Sequence, residues 1–272
     1  MSLLLEKKFA VIGAGNIGRI LLERLRHAGV PETHLAICDS DPERAGAAAA
    51  RYGVRVGALH DTVICQADVW LIATPPRSVA GVMKALAPFM QPGQIVVSFA
   101  AAVPISPLEA LVPEGVPVVR VMPNAPSLVG RGMNPVAYGA AVTRDEKRVV
   151  EAILETLGDF VEVSDSQMSW CVGLSGAAMR SLLPVLEGMV QAGREAGLSE
   201  KDARRIAARV MSGTAALVLE TDLTWQEIKQ LTPMQTVDEP AVAHLFREAA
   251  RGAKIKIDEM QSRLWADEQQ SW

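Results

Sequence analysis

Short apolar runs alternate with helical patterns over the first half of the chain. The runs are typical of buried strands and lie at Phe9–Ile12, His34–Cys38, Val69–Ala73, Gln94–Phe99 and Val118–Met122. The segments between them carry helical spacing or helix-start signals and predict helices over Ile17–Ala28, Pro42–Tyr52 and Val79–Phe89. Strands that alternate with helices predict right-handed βαβ units and a mainly parallel sheet covered on both faces.

The pattern changes near residue 164, after which no strand-like segment follows. Helices are predicted over Ser166–Ala196 (as one helix, or as two joined near Gly173–Ala178), from Ser199 to about Glu220, and over Pro240–Leu264. Helix caps are predicted at Asp41, Ser199 and Thr224. The sequence therefore predicts an α/β domain over residues 1–163 and an all-helical domain over residues 164–272. A helix of about 30 residues is about 45 Å long, which is too long for a small domain to cover by itself. We therefore expect a second copy of the chain to cover its apolar face.

Composition excludes several classes of protein. The chain has 272 residues, 49% of them hydrophobic, and a formal net charge of -4, with no block of Lys or Arg. Clustered positive charge is what a nucleic-acid surface needs, so we expect no nucleic-acid partner. Three cysteines, Cys38, Cys65 and Cys171, fit neither a zinc site nor a disulfide framework. Neither a signal peptide nor a membrane span is predicted. We expect a cytoplasmic protein with reduced thiols, no membrane partner and no metal site.

The strongest motif lies between the first predicted strand and the first predicted helix. It has the form G-x-G-x-x-G and comprises Gly13, Ala14, Gly15, Asn16, Ile17 and Gly18. In this context the first glycine allows a tight turn, the second lets backbone approach a pyrophosphate, and the third lets helix and strand pack closely. The N-terminus of the helix attracts the anion. The motif predicts a dinucleotide-binding Rossmann domain, with these six residues at the cofactor.

Asp39 ends the second predicted strand, 21 residues after Gly18. An acid at this place normally binds the ribose hydroxyls of NAD. Ser40 and Asp41 follow, and two carboxylates should repel the 2′-phosphate of NADP. Arg44 could swing in to bind that phosphate, and Ser40 could donate a hydrogen bond. The sequence therefore favours NAD and leaves NADP as the alternative.

Two later stretches carry a family resemblance. They are Ala73-Thr74-Pro75-Pro76-Arg77 and the stretch Arg120–Met133, which contains Met122-Pro123-Asn124-Ala125-Pro126. With the glycine motif, they resemble pyrroline-5-carboxylate reductase. The resemblance implies a Rossmann domain, a helical domain that dimerises by interleaving, and hydride transfer to a cyclic imine. It places Ala73, Thr74 and Pro75 at the nicotinamide side of the cofactor, and Ser98–Ala102 with Asn124 at the floor near the ring.

The chain departs from the family in the half that binds substrate. Where the family has Lys-Pro, this chain has Pro75-Pro76, and where it has Ser-Gly-Ser-Gly-Pro-Ala-Tyr, this chain has Ser175–Ser181. The family loop Ser-Pro-Gly-Gly-Thr-Thr, whose backbone N–H groups bind the substrate carboxylate, is Thr232–Val237 here. Met234 and Gln235 replace its two glycines. The cofactor half is therefore kept, and the substrate half is rebuilt.

Two residues of the rebuilt half are candidate catalytic residues. Arg180 lies in an otherwise apolar stretch and could hold a substrate carboxylate bidentately. The alternative is an exposed or interface arginine. Thr236 matches a family threonine that could hydrogen-bond the ring nitrogen, and its alternative is a cap of a helix or loop.

Three functions remain open at this point. A ketone would need a proton donor for its developing alkoxide, and His244 is the one histidine that is a candidate for that role. An iminium already carries its charge, so the shortage of acids favours a carboxylate-bearing imine as the small-molecule substrate. The alternatives are a dehydrogenase for another imine, amine or hydroxy acid, and a non-catalytic dinucleotide-binding paralogue. A homodimer or a higher homo-oligomer is expected in each case.

Overall fold

The computed structural model describes residues 2–269, and they form two compact units. Unit 1 comprises the chain up to Gly176 and again from Arg251 onward, and unit 2 comprises Ala177–Ala250. The limits of these units differ from the predicted domain boundary after residue 163. That boundary stays a prediction. Each unit is described by itself below.

Unit 1 contains one eight-stranded sheet, with strands in the order β3-β2-β1-β4-β5-β6-β7-β8. Neighbouring strands are parallel except β6 and β7, which are antiparallel. The strands are β1 (Phe9–Ile12), β2 (Leu35–Cys38), β3 (Arg55–Val56), β4 (Val69–Ile72), β5 (Ile95–Ser98), β6 (Val118–Val121), β7 (Gly132–Tyr138) and β8 (Gly158–Glu162). The five predicted strands are confirmed to within a residue or two at their ends, and β3, β7 and β8 were not predicted.

The helices of unit 1 begin where the sequence supplies a cap or a proline. Asp41 caps α3 by accepting the N–H groups of Glu43 and Arg44, as predicted, and Thr143 caps α7 in a capping box with Glu146. The helices are α1 (Ser2–Leu5), α2 (Asn16–His27), α3 (Pro42–Tyr52), α4 (Thr62–Cys65), α5 (Pro76–Leu86), α6 (Ile105–Glu109), α7 (Arg144–Leu157) and α8 (Met168–Cys171). A π-helix over Val172–Ala177 continues α8.

The core of unit 1 lies on both faces of the sheet. Along β1, Phe9 and Val11 belong to one buried cluster, and Ala10 and Ile12 belong to the other. Alternate residues of a strand point to opposite faces. Because both faces are covered, the central strands are apolar throughout, which is why continuous apolar runs predicted them.

Helices joined by loops make up the described residues of unit 2. It contains α9 (Ala178–Glu195), α10 (Glu200–Glu220), α11 (Trp225–Gln230) and the first part of α12 (Glu239–Gln269), whose later part belongs to unit 1. The predicted caps at Ser199 and Thr224 are confirmed, with their side chains accepting the N–H groups of Asp202 and Glu227. The predicted helix over Ser166–Ala196 is α8, the π-helix and α9 in direct succession.

The helices of unit 2 bury little of their own apolar surface. None of the residues of α9 is buried, and α10 buries Ala203 and Ala207. Ile206 and Val210 are 51% exposed, and Leu217 is 37% exposed. These three residues, at spacings of four and seven, lie on one side of α10. Among the described residues, no helix combines the length and apolarity needed to cross a membrane.

Candidate dinucleotide-binding site

The turn between β1 and α2 needs glycine at its first position. Gly13 has a φ of 108°, a conformation that residues with a Cβ rarely adopt. Its N–H donates to the carbonyl oxygen of Cys38 over 2.7 Å, which ties the turn to the end of β2. A Cβ on Gly13 would lie 2.7 Å from the carbonyl oxygen of Ala73. The turn therefore passes close to the ends of both β2 and β4.

The other two glycines of the motif differ in their surroundings. A Cβ on Gly18 would lie 1.8 Å from the carbonyl oxygen of Gly13, so α2 packs closely against the turn. A Cβ on Gly15 would meet nothing within 4 Å. Gly15 is also the N-cap of α2 and supplies no side-chain hydrogen bond to the first N–H groups of the helix. The side of Gly15 that would carry a Cβ is therefore open, next to helix N–H groups that no side chain caps, and this arrangement suits an anion.

The remaining residues of the motif have different environments. The N–H of Ala14 donates to the carboxylate of Asp39 over 2.7 Å. Asn16 is exposed, and Ile17 is partly buried against the core. Their contacts with a cofactor stay predictions.

Asp39 is held by three donors at the end of β2. Its carboxylate, 7% exposed, accepts the N–H of Ala14, the N–H of Asp41 over 2.8 Å, and the guanidinium of Arg44 over 2.9 Å. Burial by itself would raise the pKa of Asp39, but these donors outweigh it and hold the pKa below its usual value. Asp39 is therefore charged at neutral pH.

Arg44 is bound by two carboxylates. Besides Asp39, its Nε lies 3.0 Å from a carboxylate oxygen of Asp41. Ser40, between the two acids, is exposed. A cofactor that needs Arg44 would have to draw it away from both acids.

The ends of β4 and β5 lie beside each other at the same edge of the sheet. Ile72 pairs with Ser98, and the N–H of Phe99 donates to the carbonyl oxygen of Ile72 over 2.9 Å. Ala73 and Thr74 follow β4 directly, and the buried hydroxyl of Thr74 has no hydrogen-bond partner among the described residues. Buried polar groups are normally paired, and this hydroxyl lacks a partner within the described part of the chain by itself. Pro75, next along the chain, is exposed.

Asn124 follows β6, and both ends of its side-chain amide contact the protein. Its oxygen accepts the N–H of Met133 over 3.2 Å, and its nitrogen donates to the carbonyl oxygen of Ser175 over 3.5 Å. Asn124 therefore joins the loop after β6 to β7 and to the π-helix. Its role near a nicotinamide ring stays a prediction.

The two candidate catalytic residues, Arg180 and Thr236, both belong to unit 2. Arg180 lies in the first turn of α9, and Thr236 lies between α11 and α12. Both are exposed. Their roles in binding a substrate stay predictions.

A buried ion pair was missed by the sequence analysis. Arg120, with a side chain 2% exposed, donates to Asp165 over 2.8 Å. The other oxygen of Asp165 accepts the N–H of Ile105 over 3.0 Å. The signal was a single arginine within the valine-rich run of β6, because a charge in a buried strand needs a partner.

A dinucleotide fits the residues that surround the turn. Three observations agree: the open space at Gly15, the unpaired hydroxyl of Thr74, and the charged Asp39 at the end of β2. Among the described residues, no group of three or more His, Cys, Asp or Glu side chains is placed to hold a metal ion.

Comparison with known families agrees with this geometry. Residues 8–102 match the family model described as NADP oxidoreductase coenzyme F420-dependent. Residues 165–260 match the family model of pyrroline-5-carboxylate reductase dimerisation.

Two relatives and one solved structure are pyrroline carboxylate reductases by name. Pyrroline-5-carboxylate reductase of Mycobacterium leprae is 35% identical over 240 residues, 86% of this chain and 81% of the relative. The enzyme of Corynebacterium melassecola is 28% identical, over 92% of this chain and 97% of its own. In fold, the chain is similar to Plasmodium falciparum pyrroline carboxylate reductase with NADP bound. The TM-score is 0.84 at 19% identity, over 95% of this chain and all of that one (100%).

The fold and the turn define a dinucleotide-binding Rossmann protein with a helical C-terminal region, of the oxidoreductase class. Its relatives give the finer assignment. The chain belongs to the pyrroline-5-carboxylate reductase family.

Proposed function

We propose that the protein is an NADH-dependent reductase of a carboxylate-bearing cyclic imine, with pyrroline-5-carboxylate as the leading substrate. The observation that carries the proposal is the glycine turn that opens at Gly15, in a chain whose relatives are named pyrroline-5-carboxylate reductase. The family name supplies the substrate, and the turn supplies the cofactor class.

A bound reduced nicotinamide supplies the hydride that adds to the imine carbon. The residues of the chain then have three tasks. The turn over Gly13–Gly18 binds the pyrophosphate, Asp39 binds the adenine ribose, and the residues after β4 and β5 border the nicotinamide. Because an iminium already carries its positive charge, orientation and exclusion of water matter more than an acid.

We propose NADH as the preferred cofactor because of the charges at the end of β2. Asp39 is charged and buried, and Arg44 is already paired with Asp39 and Asp41. A 2′-phosphate would meet two carboxylates, and its binding by Arg44 would break both ion pairs. NADP is the alternative, and the Plasmodium falciparum structure holds it.

We propose that Arg180 anchors the substrate carboxylate and that Thr236 hydrogen-bonds the ring nitrogen. Both residues are exposed, so their side chains are accessible to a ligand. Arg180→Met should raise the KM for the imine about tenfold or more, since an ionic hydrogen bond is worth roughly 1.5–3 kcal/mol. Arg180→Lys is the matched variant, because it keeps the charge and loses the bidentate geometry. An unchanged KM and rate in Arg180→Met would exclude this role.

We also propose a homodimer formed through unit 2. The exposed apolar residues of α10 and the match to the dimerisation family model support this assembly. A surface of this kind is normally covered by a protein partner.

The test is oxidation of NADH and of NADPH by the purified protein with pyrroline-5-carboxylate, against a control without substrate. We expect turnover at about 1–1000 per second, with the higher kcat/KM for NADH. Asp39→Ser should shift the ratio of the two kcat/KM values toward NADPH. Dinucleotide binding without turnover would reject this substrate and call for a panel of other imines and keto acids. Loss of binding to both cofactors would reject the proposal as a whole.

A further inference from the structure

Ala102 has an unusual backbone conformation close to the proposed nicotinamide site. Among the described residues, it is the one non-glycine with a positive φ, at 61°. Its side chain is fully buried. This region disfavours residues with a Cβ, because the Cβ approaches the following carbonyl oxygen. Such a conformation persists where surrounding contacts impose it.

The C-terminal part of α12 supplies one of these contacts. Ala102, Val172 and Ile257 form a buried apolar cluster, flanked by the partly buried Ala101, Met122 and Leu264. Ile257 is 9% exposed, whereas Ile255, two residues earlier on the same helix, is 48% exposed. One isoleucine of this pair packs in the cluster with Ala102, and the other faces outward.

Polar contacts on either side of Ile257 fix the helix in place. The carboxylate of Asp258 lies 2.5 Å from the ammonium of Lys254, and interaction with Lys254, with a smaller contribution from Ser169, lowers the pKa of Asp258. The ammonium of Lys254 also lies 5.8 Å from the ring centroid of Trp170. Ser169 and Trp170 belong to α8, and the π-helix that begins at Val172 follows α8 directly. The helix that carries Ile257 is therefore attached to the segment that completes the cluster.

The turn over residues 99–105, which contains Ala102, is attached independently at its C-terminal end. Asp165 accepts the N–H of Ile105 and pairs with the buried Arg120. At its near end, the turn begins beside β4, through the hydrogen bond from Phe99 to Ile72. Between these attachments, Ala101 and Ala102 pack in the cluster with Ile257 and Val172, whereas Ala100 and Val103 belong to the core cluster on one face of the sheet.

We infer that Ile257 is a positioning residue for the nicotinamide end of the cofactor site. By packing in the cluster with Ala102, it holds the turn over residues 99–105 in the conformation that lines the space next to Thr74. Without it, the turn relaxes to a negative φ at Ala102, and the floor of the site moves. This inference rests on the proposed function, because it takes the turn after β5 to border the nicotinamide.

The first experiment compares Ile257→Ala with the matched control Ile255→Ala. Amide hydrogen exchange of residues 99–103 reports the turn directly, and NADH titration with steady-state kinetics reports the site. We expect Ile257→Ala to speed exchange and to raise the Kd and KM for NADH about tenfold, since a displaced binding residue has effects of this order. Ile255→Ala should match the wild type in all three measurements.

The second experiment separates positioning from a general loss of stability. Glycine adopts a positive φ without steric cost, so Ala102→Gly removes the need for a packing partner. We expect the double variant Ala102→Gly/Ile257→Ala to recover slow exchange and an NADH Kd within about threefold of the wild type, well inside the factor expected for a displaced group. The variant Tyr138→Phe/Ile257→Ala, whose second change lies outside the cluster with Ala102, should not recover them.

Two results would overturn the inference. One is an Ile257→Ala variant that matches Ile255→Ala in exchange and in NADH binding. The other is a double variant with Ala102→Gly that recovers neither. If the wild type binds no dinucleotide, the proposed function fails, and hydrogen exchange still decides whether Ile257 holds the turn.

Discussion

Unit 1 buries most of its apolar residues by itself, and unit 2 does not. In unit 1, helices cover both faces of the sheet, and strands such as β1 and β4 are buried along their whole length. In unit 2, α9 buries none of its residues, and α10 leaves Ile206, Val210 and Leu217 exposed. A fold that completes its own core is stable without a partner, whereas one with exposed apolar faces depends on association. The effects of substitutions in unit 2 should therefore depend on protein concentration, whereas those of substitutions in unit 1 should not.

The largest effect should come from charges placed on the exposed side of α10. We expect Val210→Glu/Leu217→Glu to raise the dissociation constant of the homodimer by roughly a thousandfold or more, because a dimer would bury both carboxylates unpaired. Sedimentation velocity at micromolar concentration would then show a monomer. Ala208→Glu adds the same charge to the opposite side of α10 and should leave the dimer intact. If the double variant sediments as the same dimer as the wild type, the proposed dependence of unit 2 on association is wrong.

A smaller effect, independent of concentration, should come from the glycines of unit 1. Gly18→Ala forces a Cβ against the carbonyl oxygen of Gly13. We expect it to lower the melting temperature and to weaken NADH binding about a hundredfold, since the turn must shift. Gly15→Ala meets no neighbour in the protein, so it should keep the melting temperature and weaken binding about tenfold by obstructing the pyrophosphate. Thermal melts and NADH titration at two protein concentrations check both expectations. Unchanged binding in Gly15→Ala would show that the pyrophosphate lies elsewhere.

The smallest effect should distinguish the two tyrosines of the chain, both in unit 1. The buried hydroxyl of Tyr138 has no hydrogen-bond partner among the described residues, and burial raises its pKa, so it stays neutral. Burial is the main cause that raises the pKa of Tyr52, and its hydroxyl also interacts with the carboxylate of Glu23. We expect Tyr138→Phe to stabilise the protein by about 1 kcal/mol, and Tyr52→Phe to destabilise it by about 0.5–1 kcal/mol. Denaturant melts would measure both values. A Tyr138→Phe variant less stable than Tyr52→Phe would show that the Tyr138 hydroxyl has a partner.

Local signals predicted most of the elements. The caps at Asp41, Ser199 and Thr224 involve neighbours within three residues, so the sequence alone was enough to place them. The capping box of Thr143 with Glu146 is a signal of the same kind, and it was available for α7. The glycine turn was predictable for the same reason, since its geometry depends on its own residues.

The elements that were missed depend on distant partners. The sequence of β7 contains Gly132 and Pro135, which weaken a strand pattern, and β7 exists because it pairs with β6 on one side and β8 on the other. β8 is an edge strand whose residues are exposed or partly exposed, so it has no apolar run. β3 has two residues, too few for any pattern. Tertiary pairing decided these three strands.

The same distinction between local signals and distant contacts applies to the candidate site. Asp39 was identified from its spacing to the glycine motif, but the pairing of Arg44 with two carboxylates depends on side-chain positions in three dimensions. Nothing in the sequence marks Ala102 as a residue with a positive φ, and the buried residues that cluster with it are 70 and 155 positions away. The unpaired hydroxyl of Thr74 is likewise visible only in the folded chain.

The path of α12 has a consequence for how this protein can be divided. Because the chain leaves unit 1 at Gly176 and re-enters it at Arg251, the helical unit is an insertion within the sheet-containing unit. A cut at residue 176 therefore does not release an intact nucleotide-binding fragment, since that fragment would lack Ile257 and the helix that carries it. Premature termination near residue 250, or a C-terminal fusion that unwinds the last turns of the helix, should impair cofactor binding before it impairs association. The later part of α12 is therefore needed by unit 1, which contains the proposed dinucleotide site.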